Sequence, residues 1–414
     1  MMKLRALLPS LLLVCALAPS LAHAQSASLS TKPLPANAQP EKAAPTMLSL
    51  PRNPLAPPLS VDAISEQIKE AKLLLKAHAS SSDEIVTLAA LDREDGRVHL
   101  LPLSKEQFLE KGALLATTTS LGHQAQVTII RANGVNTAVR VLDQTTAGEL
   151  LPLVVEYPIT KNGSTELAYY TSAHPALLSP EVVADGSSYV RVMLDRAAAR
   201  LGSQGVEISP GIVDIAEHLC IVEHTDHKRF LNEQRPALFK EILSLYALNQ
   251  PDTYRYSVST AGAGGMVQMI PSTYEMVRER HANVKLNPDF VSGMRDHSNA
   301  LTAMLLYMQD TWADLLKNSE VRDALDAGIA SQPELVAAGY NSNPARLPKY
   351  LNRGGSQWRT LIPSETQMYL QIYSSLDQSV PMKRREPAPV RVANNRIGQS
   401  VLFSALMHLL LPWN

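Results

Sequence analysis

The stretch "SVSTAGAGGMVQMIPSTY" spans Ser257–Tyr274. Small residues crowd its first half. In its second half a glutamine stands between apolar neighbours, and Pro-Ser-Thr follows. Glycine lets a backbone approach a ligand closely. Gln268 offers both a donor and an acceptor. Met266 and Met269 supply soft apolar contact to a ligand face, or fill a core. The loop therefore reads as one wall of a polar-ligand groove, and its surroundings are helical.

Upstream, "PGIVDIAEHLCIVEHTDH" begins with Pro210 near a helix start and spaces Ile212, Ile215, Leu219 and Val222 along one face. The same helix carries Glu217 and, near its end, Glu223. Apolar walls around a carboxyl disfavour its anion and let it hold a proton near neutrality, as a general acid must. "SSYVRVMLDRAAARLG", "RPALFKEILSLYAL", "HSNALTAMLLYMQDTWADLL" and "SETQMYLQIYSSL" complete a mostly helical region over 179–378.

The glycine-rich stretch resembles the second motif of the lytic transglycosylases of the SLT family, through Ser259, Gly262, Ala263, Gly265, Gln268, Pro271 and Thr273. Three more stretches agree in type and order. The helix from Pro210 looks like the family helix that ends in the catalytic glutamate, at Glu223. "LVAAGYNSNPARLPKYL" is similar to the Ala-Tyr-Asn-Ala-Gly motif, with Tyr340 and Asn341 in register. "LIPSETQMYLQIY" resembles the closing helix through Pro363, Glu365, Thr366 and Tyr369. The resemblance covers about residues 205–375.

It implies a goose-lysozyme-like fold and cleavage of the β-1,4 bond between N-acetylmuramic acid and N-acetylglucosamine, giving 1,6-anhydro ends without water. Glu223 would act as acid and then base, and Tyr340 would orient it. Ser259, Gly262, Ala263, Gly265, Met266, Gln268 and Asn341 would contact the sugar. The implied reaction needs no cofactor and no metal. Three departures stand out. His224 replaces the usual Ser, so an imidazole either alters the acid or points away. Ser342 and Asn343 replace Ala-Gly, and Asn tolerates a left-handed backbone. Residues 227–255 look like an insertion that caps the groove or decorates the surface.

The N-terminal half differs. "VDAISEQIKEAKLLLKAH" has helical spacing at Ile64, Ile68, Ala71 and Leu75, followed by strand-like runs with a hairpin turn at Asn133-Gly134. Residues 61–178 thus form a mixed α+β accessory domain, with binding, positioning or packing support as its role. The whole chain is α+β, with the mostly α lysozyme-like domain second.

Composition and address fit an exported protein. A net charge of −1 and 5% aromatics argue against nucleic acid as a partner. Lys3 and Arg5, the apolar run after them and Ala22-His23-Ala24 read as a signal peptide cleaved before Gln25, pointing to the periplasm. Cys15 raises a lipoprotein reading, but Val14 precedes it where a small residue is expected. Residues 25–60 read as a Pro-rich linker. Cys220 is then the one cysteine left and closes no internal disulfide. Residues 379–414 read as a basic linker and an apolar helix that lies on a membrane surface or packs on the body.

Peptidoglycan strands are the implied partner. Two rival readings stay open. One is a non-cleaving peptidoglycan-binding or assembly protein on the same fold. The other is a metallohydrolase using Cys220, His224 and His227, with Glu223 and Asp226 nearby.

Overall fold

Seven antiparallel strands and thirteen helices are described in a computed structural model over residues 59–78, 82–161, 164–251 and 262–386. The expected signal peptide, nearly all of the linker, Ser259 and the C-terminal apolar helix lie outside these residues.

Helix α1 (Val61–Ala77) starts at Ser60, whose hydroxyl accepts from the Ala63 N–H. Its face of Ile64, Ile68, Ala71 and Leu75 is buried, as the spacing predicts. Each Ile or Leu buried this way contributes about 1.5–3 kcal/mol. The strands are β1 (Ile85–Leu91), β2 (Val98–Ser104), β3 (Leu114–Thr118), β4 (Gln124–Arg131), β5 (Ala138–Asp143), β6 (Glu149–Lys161) and β7 (Ser164–Tyr170), with the one-turn α2 (Lys105–Phe108) after β2. Their order is β2-β1-β6-β5-β4-β3, with β7 also on β6. The long β6 serves β5, β1 and β7 in turn.

The sheet curls back on itself. Beyond β3, Ser120 N–H donates to Leu100 O at 2.9 Å, and Thr117 Oγ1 donates to Pro102 O at 2.9 Å, so the β3 end meets β2. The inner face is Val86, Leu88, Leu101, Phe108, Val127, Ile129, Val141 and their neighbours. The β4–β5 connection is a hairpin, longer than a two-residue turn, with a short 3₁₀ turn at Gly134–Asn136.

Helices follow the sheet: α3 (Pro180–Ser203), α4 (Pro210–Val222), α5 (His227–Asn232), α6 (Arg235–Leu248), α7 (Pro271–Arg280), α8 (Phe290–Arg295), α9 (His297–Leu315), α10 (Ser319–Asp326), α11 (Gln332–Asn341), α12 (Leu347–Gly354) and α13 (Ser364–Ser379). Helix α4 is buried on every side, from Ile212 to Val222. It is the hub that α3, α6, α9, α11 and α13 surround.

The described part of the expected insertion, residues 227–251, is not surface decoration. Leu238, Phe239, Ile242, Leu243, Leu245 and Tyr246 of α6 are all buried. Gly186 makes that packing possible, because a Cβ there would stand 1.8 Å from Leu243 O. Tyr246 donates to Cys220 O on α4 at 2.6 Å. Asn249, just past α6, bonds both the N–H and the C=O of Thr171 after β7. Arg131 of β4 meets Glu241 of α6. The segment therefore joins the sheet to the hub helix.

The basic run after α13 is not wholly a free linker. Arg385 donates to Asp195, Asp214 and Glu217, and Arg384 to Asp377. These bonds strap residues 381–386 along α3, α4 and α13.

Candidate functional site

Helix α4 ends at Glu223, its C-cap. The side chain is half-buried on the wall of a groove of about 840 Å³, which α7, α9, α11 and α13 also line. Burial pushes the Glu223 carboxyl up to about 8. The nearby charge of Glu365 adds to this, and a hydrogen bond from Tyr369 pulls the other way. A helix C-terminus carries partial negative charge, which acts in the same upward direction. At neutral pH the group is therefore mostly protonated.

Tyr369 on α13 donates to Glu223 Oε1 at 2.6 Å. Its ring is almost fully buried, so the hydroxyl is held in place. This corrects the expected role of Tyr340. Tyr340 lines the groove, but its hydroxyl donates at 2.7 Å to Val267 O in the glycine-rich loop. The closing-helix motif contains Tyr369, but a motif match does not say which of two tyrosines reaches the acid.

The loop is built by tight backbone geometry. Gly264 and Met269 form an isolated antiparallel bridge, and Gly264 N–H donates to Met269 O. Gly265 has φ +72°, and a Cβ there would lie 2.5 Å from Met294 O. Gln268 also takes a positive φ, +46°, and its Nε2 donates back to Gly265 O at 2.9 Å.

Ala263, Gln268, Met269 and Ile270 line the groove. Gly265 and Met266, expected against the sugar, do not. Gly265 is buried against Met294, and Met266 is fully buried in the main core. Gly262 shapes the loop entrance with φ +78° and is also absent from the lining. On α11, Asn341 lines the groove and accepts at Oδ1 from the Thr366 hydroxyl at 2.8 Å. A ligand would meet the NH₂ end of that amide.

The departures have local explanations. The His224 ring turns into the loop and donates from Nε2 to Met266 O at 3.0 Å. Burial pushes its imidazole down to about 4, so it is neutral beside the acid. Asn343 is not left-handed, at φ −76°. It caps a short 3₁₀ turn by accepting from Ala345 N–H. Ser342 donates back to Ala338 O at the end of α11.

Cys220, His224 and His227 do not assemble a metal face. Cys220 is fully buried, with its thiol pushed up by desolvation. His224 is held on Met266 O, and Asp226 caps α5 by accepting from Arg229 N–H. Glu217, the other glutamate of α4, faces away from the groove into ion pairs with Arg191 and Arg385.

Sequence reading also missed the far groove wall. Asp310 and Asp314 of α9 and Arg280 of α7 line it and pair with one another. They come from helices whose motifs say nothing of charge placement. The arrangement can deliver a proton from Glu223 to a bound polar ligand and receive one back. No known protein family, curated protein or solved structure matches the chain.

Proposed function

We propose that the chain is a peptidoglycan lytic transglycosylase acting outside the cytoplasm. The observation that carries this reading is a carboxyl in the wall of an open groove, hydrogen-bonded to one buried tyrosine, where burial raises its pKa. The resemblance of four ordered motifs supports the choice of substrate. Glu223 protonates the glycosidic oxygen between N-acetylmuramic acid and N-acetylglucosamine. The carboxylate so formed accepts the Tyr369 hydroxyl bond, which favours the anion. It then takes the proton of the muramyl C6 hydroxyl as that oxygen closes on C1, giving the 1,6-anhydro sugar. The nucleophile belongs to the substrate, so one carboxyl serves both steps. A hydrolase would need a second.

Each neighbour has a part. Tyr340 fixes the loop at Val267, placing Gln268 and Met269 along the groove. Asn341 offers its amide to sugar hydroxyls or acetamido groups. One observation favours a second reading: Glu365 lines the same groove, and its charge is felt at Glu223. As a second carboxylate it would make the protein a hydrolase.

The test is mass spectrometry of muropeptides released from purified sacculi, for the parent chain and Glu223→Gln. Anhydro-muramyl products from the parent are expected, with the variant slower by at least about a hundredfold, the scale of general acid catalysis. Reducing-end products would transfer the reading to hydrolysis with Glu365. Sacculus binding without any product would leave a peptidoglycan-binding protein instead.

A further inference from the structure

The sheet holds a group of side chains that the proposed reaction does not use. His99 lies on β2, His123 just before β4, and Asp143 at the end of β5. One ligand-capable atom from each lies within 4.8 Å of the others. The topology explains the meeting. Asp143 pairs in register with Ala125 on β4, two residues after His123. The β3–β4 hairpin closes through Thr119 N–H to His123 O. Its tip docks on β2 through Ser120 N–H to Leu100 O and Leu100 N–H to Ser120 Oγ. Three residues from distant parts of the sequence thus meet at the seam where the curled sheet closes.

The polar bookkeeping of this group is incomplete. His99 is fully buried; its Nδ1 lies 3.1 Å from Thr119 Oγ1, and its Nε2 has no hydrogen-bond partner. A buried polar atom left unpaired costs about 1–3 kcal/mol. Asp143 is also fully buried. Its Oδ2 lies 2.6 Å from His123 Nδ1, and its Oδ1 accepts from Thr145 N–H at 2.8 Å. The His123 side chain is 20% exposed, which leaves an approach from solvent. The rings of His99 and His123 stand edge to face, 5.0 Å apart.

We propose that His99, His123 and Asp143 form a zinc site that pins the β3–β4 hairpin to β2. Two imidazole nitrogens and one carboxylate oxygen suit this borderline cation, with water as the fourth ligand on the His123 side. His99 ligates through Nε2, which gives that atom its missing partner. Its Nδ1 edge stays against Thr119 Oγ1, which holds the orientation of the ring, the usual support for a ligating histidine. Zinc takes the place of the hydrogen bond between His123 Nδ1 and Asp143 Oδ2, and the neutral imidazole then carries its proton on Nε2.

The required movement is small. Bonds of about 2.0–2.2 Å in a tetrahedral set place ligand atoms roughly 3.3 Å apart. The 2.6 Å pair therefore opens slightly, and each of the three residues already offers an atom within 4.8 Å of the others. Asp92 and Asp95 also lie within ligand reach of His99, but their oxygens hold their own turn through Glu94 N–H and Arg97. Their charge favours a cation nearby without supplying a ligand.

The untagged full chain, stripped with chelator and dialysed against zinc, is expected to retain about one zinc per chain by elemental analysis. Its melting temperature should rise, and cobalt in place of zinc should give the visible absorption of a four- or five-coordinate site. His123→Gln, at the partly exposed ligand, should keep the metal-free fold by circular dichroism and weaken zinc binding by at least about a hundredfold. Asp143→Asn is the second variant, should His123→Gln prove unstable. Substoichiometric zinc in the parent chain would overturn the site. So would unchanged zinc affinity in the folded variant, or equal uptake of magnesium. His123 and Asp143 would then be a hydrogen-bonded staple and no more.

Discussion

Glu223→Gln should stabilise the chain, by an amount that grows with pH. The unfolded carboxyl ionises near its ordinary value of 4.5, whereas the folded one holds its proton up to about 8. Between those values the unfolded state has released a proton that the folded state keeps. Stability is therefore fully present below 4.5 and is lost progressively as pH rises towards 8. At 1.36 kcal/mol per unit, the loss is about 1 kcal/mol at pH 5 and about 3 kcal/mol at pH 7. Glutamine cannot ionise, and its carbonyl can still accept from Tyr369, so the variant escapes this loss. At about 2 °C per kcal/mol for a chain of this size, it should melt about 2 °C above the parent at pH 5 and about 6 °C above at pH 7. Thermal melts followed by circular dichroism in matched buffers measure both gaps. A constant offset, or a variant that falls behind the parent as pH rises, would refute the claim that the fold holds Glu223 neutral.

Two further predictions rest on neighbouring geometry. Tyr369→Phe removes a hydrogen bond that favours the carboxylate, so the alkaline limb of cleavage against pH should move up by about one unit while the rate falls; an unmoved limb would separate Tyr369 from the acid. Gly265→Ala forces a Cβ against Met294 O at a left-handed backbone position and should cost at least about 2 kcal/mol, read as a lower urea midpoint; an unchanged midpoint would mean the loop is looser than its geometry shows.

Much of the fold was legible because periodicity reports burial. The face of α1 and the spans of α6, α9 and α13 follow from apolar spacing, and the β4–β5 hairpin from Asn133-Gly134. Other features depended on partners that sequence does not name. Residues 227–255 look like an addition, yet α6 is core because Gly186 on a different helix admits it. Met266 and Met269 are equivalent by composition; both are buried in the main core, and only Met269 also lines the groove. Tyr340 and Tyr369 each stand in a motif, and only packing decides which hydroxyl reaches Glu223. His99, His123 and Asp143 have no metal-binding spacing along the chain, and a curled sheet is needed to bring them together.

The two glutamates of α4 and its C-cap show how strongly surroundings govern chemistry. Glu217 and Glu223 are the same residue on the same helix. Glu217 meets the guanidinium groups of Arg191 and Arg385, the second delivered from far along the chain by the strap after α13. Those ion pairs balance a buried charge and turn Glu217 into an anchor. Glu223 meets no cation among its named partners. It has the end of a helix, the charge of Glu365 and one tyrosine hydroxyl, and each of the first two opposes ionisation. One helix can therefore carry an ion-paired glutamate that anchors it and a second glutamate, at its end, that faces a groove. The strap and the groove are two faces of that division, because Arg385 stabilises the helix without placing a positive charge beside Glu223.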